Sequence, residues 1–104
     1  MTEQHEKVFE TQFADIGFTK MQGLHPANKM MFYKKMYVAT VYMMRRPDNS
    51  YVMQVDVIRC DGNSVYTVIY DTQIFIYDDE EFEDYVEGEI SDINAKIALQ
   101  GDKQ

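Results

Sequence analysis

Residues 51–60 read Tyr-Val-Met-Gln-Val-Asp-Val-Ile-Arg-Cys. Successive side chains of a strand point to opposite faces, so Tyr51, Met53, Val55, Val57 and Arg59 share one face. β-Branched and aromatic residues favour a pleated, half-buried surface, and this is the clearest strand in the chain. The segments on either side repeat the signal. Before it, 30–33 predicts a short strand and 37–45 a longer one, with Lys34-Lys35 as a turn or exposed edge. Arg46-Pro47-Asp48-Asn49-Ser50 is a turn in which Pro47 sets the backbone angle. After it, Asp61-Gly62-Asn63 signals a hairpin. A strand at 65–71 and a short fifth one at 74–77 follow.

Helical patterns flank this run. Thr2 caps a helix that reaches about Asp15, with Val8, Phe9, Phe13 and Ile16 as its apolar stripe. Gly17 ends it in a left-handed turn, and Phe18 folds back on the last turn. Residues 19–29 read as a loop. At the other end Phe82, Val86, Ile90, Ile93 and Ile97 form one stripe at about 100° per residue. Asp78 or Asp79 caps this second helix, and Gly101 marks its end. The connections are short, so the strands neighbour one another in sequence order. The expected fold is one α+β domain spanning 1–104: an N-terminal helix, an antiparallel meander of four to five strands and a C-terminal acidic helix, in two layers.

The 104 residues carry a net charge of −8, unevenly placed. Residues 1–60 hold eight bases and six acids, whereas 61–104 hold two bases and twelve acids. That balance argues against direct binding of nucleic acid or of an anionic membrane. No apolar run approaches the ~20 residues of a spanning helix. The lone Cys60 makes no internal disulfide and points to a reducing, cytoplasmic setting.

Chemistry is scarce. The acidic run at 78–92 fails the EF-hand pattern, because Glu83 stands where the loop needs glycine. His5 and His25 lack partners at ligand spacing, and His25 reads as a surface residue. Cys60 reads as a partly buried thiol at a strand end. Ser50, Ser64 and Ser91 sit in no nucleophile elbow. The chain therefore reads as non-catalytic, with no metal and no cofactor; a small enzyme or ligand-binding domain ranks last.

Nine of the fifteen residues at 78–92 are acids. Dipole effects favour acids only in a helix's first turn, which leaves Glu83, Asp84, Glu87 and Glu89 unexplained. Asp79–Glu83, Glu80–Asp84 and Glu83–Glu87 are like-charge pairs that cost about 0.2–0.5 kcal/mol each. Opposite the apolar stripe, Glu80, Asp84 and Glu87, with Glu83 beside them, form an acidic ridge. Asp79, Glu80, Glu83, Asp84 and Glu87 are the candidate partner-binding residues, directed at a basic protein surface. In size, charge and element order the chain resembles small acidic accessory proteins of phages and mobile elements, of the anti-CRISPR and DNA-mimic type. That resemblance implies an inhibitor occupying the nucleic-acid site of a partner protein.

A second reading comes from the sheet. The adjacent pairs Met30-Met31 and Met43-Met44 place one methionine on each face. Tyr33, Tyr37, Tyr42, Tyr51, Tyr66 and Tyr70 alternate along the strands. Apolar surface on the far side of the sheet suits a structural or assembly module that self-associates, as a homodimer for example. Lys20, Lys29, Lys34, Lys35, Arg45 and Arg46 serve solubility or pair with the acidic helix.

Overall fold

A computed structural model describes residues 1–23 and 25–101. Two helices lie on one face of a five-stranded antiparallel sheet with strand order β1-β2-β3-β4-β5. The elements are α1 (Glu3–Asp15), β1 (Thr19–Lys20), β2 (Lys29–Lys34), β3 (Tyr37–Arg45), β4 (Tyr51–Gly62), β5 (Val65–Ile76) and α2 (Phe82–Leu99). The α+β, two-layer expectation holds.

Local chemistry sets the boundaries. The Thr2 hydroxyl accepts from the His5 backbone N–H at 3.1 Å and caps α1. Gly17 has φ +90°, which reverses the chain so that Phe18 N–H donates to the Phe13 carbonyl and its ring meets Phe13 edge-on at 5.4 Å. Asn63 and Ser64, both with positive φ, close the β4–β5 hairpin.

Two sequence expectations need correction. Residues 19–29 are not all loop, since β1 pairs Thr19 with Tyr33 and Lys20 with Phe32. The Lys20 ammonium secures this short strand through Glu10, 2.9 Å away. The segments 65–71 and 74–77 are not two strands, since one strand, β5, runs unbroken from Val65 to Ile76 and leaves Tyr77 outside it. The polar residues Thr72 and Gln73 continue the ladder, opposite Val55 and Gln54.

The core lies between sheet and helices. Phe9 and Phe13 of α1 and Phe82, Val86, Ile90 and Ile93 of α2 pack on Phe32, Tyr37, Val41, Met53, Val55, Val57 and Ile76. Phe13 stacks on Phe32 at 4.3 Å. The face 51/53/55/57/59 expected of β4 turns to this core, and Arg59 ends it, donating to Gln100, the residue that caps α2 at its C-terminus, at 2.6 Å. Beyond that point the β4–β5 hairpin runs on without helix cover, and residues 60–68 are all exposed. The molecule measures 44 × 27 × 20 Å as a result.

Candidate functional site: the uncovered sheet face and its open edge

The acidic run divides into three fates. Asp78 caps a single 3-10 turn, Asp79–Glu81, by accepting from the Glu80 N–H at 2.9 Å. The α-helix begins only at Phe82, so Asp79 and Glu80 precede it, which corrects the expected helix start. Asp79 is engaged within the fold. The buried His5 accepts a weak bond from the Thr2 N–H at Nδ1, 3.4 Å, which leaves Nε2–H to donate to Asp79 Oδ1 at 2.9 Å. Glu80, Glu83, Asp84 and Glu87 are exposed, and none forms an ion pair among the described residues. Glu83 borders an open depression of about 200 Å³ between the helices, alongside Gln4, Lys7 and Thr11.

Glu89 meets the third fate. It is buried, and its Oε1 accepts the Tyr70 hydroxyl at 2.8 Å and the Thr72 hydroxyl. Burial first, and the Glu89 carboxylate second, push the Tyr70 phenol well above the ordinary tyrosine range. Glu89 is therefore the acid that fastens α2 to β5, not an unexplained surface charge. Helical spacing carried a signal for this: Glu89 adjoins Ile90 and lies three residues from Val86 on the inward side.

The opposite face of the sheet is built in cross-strand rows. Tyr33, Val38, Ile58 and Val68 form an apolar row. Next come Met31, Thr40, Asp56 and Asp71, then Lys29, Tyr42, Gln54 and Gln73, and finally Met44, Val52 and Phe75. As the methionine pairs implied, Met30 and Met43 are buried while Met44 is 55% exposed. Tyr37 and Tyr70 face the core, whereas Tyr33 and Tyr66 are exposed. The exposed large apolar side chains gather on or beside β5: Val65, Tyr66, Val68, Phe75 and Tyr77.

Among the described residues no lysine or arginine forms an ion pair with the acidic helix. Lys29 lies 5.3 Å from the centre of the Tyr42 ring and Arg46 5.1 Å from that of Phe75, so two cations sit against aromatic rings of the uncovered face. Lys34 donates to the Ile16 carbonyl at 2.8 Å, and Arg45 to Asn49.

At the centre of this face Asp56 and Asp71 stand directly opposite on β4 and β5. Asp56 Oδ1 is buried without a hydrogen-bond partner. Burial, and then the Asp71 carboxyl beside it, raise the Asp56 carboxyl above the ordinary carboxylate range. The depressions here are open dishes: about 210 Å³ among Tyr42, Met44, Val52, Gln54 and Gln73, and about 330 Å³ along Gln54, Asp71, Thr72 and Gln73.

Cys60 is exposed, contrary to the expected partial burial. His25, expected at the surface, is half-buried with an enclosed and unpartnered Nε2. Among the described residues no three His, Cys, Asp or Glu side chains converge as metal ligands, and no helix is long and apolar enough to cross a membrane. No family model matches the chain, and neither a curated protein nor a solved structure resembles it significantly.

Proposed function

We propose that this protein is an assembly module that self-associates through the side of the sheet that no helix covers. One observation carries the reading. Exposed large apolar side chains concentrate there and along β5, with Tyr33, Met44, Val68 and Phe75 in outer rows and Val65 and Tyr66 on the projecting hairpin. Scattered exposed apolar residues need no explanation, but a grouping on one side marks an interaction surface. Sedimentation equilibrium from micromolar to millimolar protein tests it. A dimer is expected, weakened at least tenfold by Phe75→Glu, which places a charge where the uncovered face meets its β5 border. A monomer throughout this range defeats the proposal.

A second reading rests on the acids. Glu80, Glu83, Asp84 and Glu87 stay exposed and have no cationic partner among the described residues, which leaves them available to a basic protein surface, such as the nucleic-acid channel of another protein. Reversal of all four charges should abolish capture of such a partner while the melting temperature holds or rises. Undiminished capture by that variant rejects this reading.

A further inference from the structure

We infer that the second copy joins the sheet along β5, strand against strand, with the two-fold axis at Gln73. This rests on the self-association reading and places the contact at the β5 border of the uncovered face, which the join extends rather than covers. The two edges of the sheet are unequal. One is closed off by the two-residue β1, extended by the bond from Met21 N–H to the Met31 carbonyl at 2.8 Å. The other is β5, twelve residues long. A strand with one antiparallel neighbour aims alternate N–H and C=O groups away from it. Among the described residues, no backbone or side-chain group outside the β4 ladder bonds to the backbone of β5.

Proteins blunt such edges with lysine, proline, bulges or a covering element. β5 has no Pro, Lys or Arg, and Asp71 is its only charge. Its ladder with β4 is irregular at two places, near the hairpin tip between Cys60 and Gly62 and between Val57 and Ile58, where Ile69 forms a bulge. The bulge separates the projecting part of the hairpin from residues 70–76. Those seven remain in unbroken register with Tyr51–Val57 and form a regular open edge.

The occupant of this edge must bring an open strand of its own. The β1 edge of another copy is too short to match it, whereas β5 of another copy matches it in full. A two-fold contact also closes on itself and avoids filament growth. Seven residues paired with their own copy are used completely only when the central one, Gln73, lies on the axis. Gln73 then faces Gln73, Asp71 faces Phe75, Thr72 faces Ile74 and Tyr70 faces Ile76. An axis at Asp71 would set two carboxylates against each other. The product is a ten-stranded sheet in which the uncovered faces are continuous.

Single-cysteine chains in a Cys60→Ser background, treated with a short thiol cross-linker, test the register, and hydrogen exchange of the unmodified protein tests the edge. Gln73→Cys should couple at least tenfold faster than Thr40→Cys. An equimolar mixture of Asp71→Cys and Phe75→Cys chains should couple to each other faster than either does alone. Alternate amides of 70–76 should gain protection between dilute and concentrated protein. A dimer that leaves these amides unprotected and Gln73→Cys uncoupled overturns the edge geometry while self-association stands. A monomer at all concentrations removes both.

Discussion

Burial, together with the hydrogen bond it donates to Glu89, holds Tyr70 as a neutral phenol. The folded state keeps a proton that the unfolded chain releases near pH 10, and the stability this contributes is present below that pH and lost as pH climbs above it. Tyr70→Phe should cost about 1 kcal/mol at pH 8 and flatten the decline in urea-unfolding free energy above pH 10. A decline as steep as in the parent protein would place its origin elsewhere. Asp56 shifts in the same direction at lower pH. Its raised carboxyl pKa means that the folded state binds a proton more readily than the unfolded one, so the ionised carboxylate is unfavourable in the fold and that cost is relieved as pH falls toward the ordinary carboxylate range. Asp56→Asn removes one of two like charges set directly opposite each other, and should stabilise by about 0.5–1 kcal/mol at pH 7, with less benefit at pH 4, as read from melting temperatures. Neither site was legible from residue type. Glu89 stands in a run of acids whose other members face solvent, and Asp56 and Asp71 become neighbours only once the β4–β5 register is fixed.

The helices and long strands were legible because each carries its own period and its own punctuation, such as Thr2 and Gly17 around α1. β1 was not, because two residues have no period; it exists only through its ladder to β2 and the ion pair from Lys20 to Glu10. The continuity of β5 was hidden for a related reason. Thr72 and Gln73 read as a polar break, yet Thr72 is satisfied by Glu89 from another element. The start of α2 moved to Phe82 because Asp78 caps a 3-10 turn ahead of it. Within α2, Gly88 lies on an exposed stretch, and a Cβ added there meets nothing within 4 Å. Gly88→Ala should therefore raise stability by about 0.5–1 kcal/mol, since helical glycine carries an entropic cost and no packing role opposes the change. Chemical denaturation reads this directly. A loss of stability instead would mean that the α2 surface at Gly88 is occupied.

At the scale of the whole molecule, the two functional readings respond to salt with opposite sign. The chain carries −8, and twelve of its acids lie in residues 61–104, which include β5 and α2. Joining two copies along β5 brings like charges together: Asp71 on each strand, and behind them α2, whose Asp92 already acts on Tyr70. Burial of apolar side chains and new backbone hydrogen bonds must outweigh that repulsion. Salt shortens the screening length from about 10 Å at 0.1 M to about 3 Å at 1 M, so it weakens the repulsion and leaves the apolar contribution in place. Self-association should then strengthen several-fold between 0.05 and 0.5 M sodium chloride. An acidic ridge held by a basic partner depends on attraction between opposite charges, and the same salt step should weaken that complex. Sedimentation equilibrium of the protein alone, beside pull-down of a basic partner across the same series, separates the two. Self-association that weakens with salt would mean that ion pairs between copies dominate, and the uncovered sheet would lose its place as the surface that holds them.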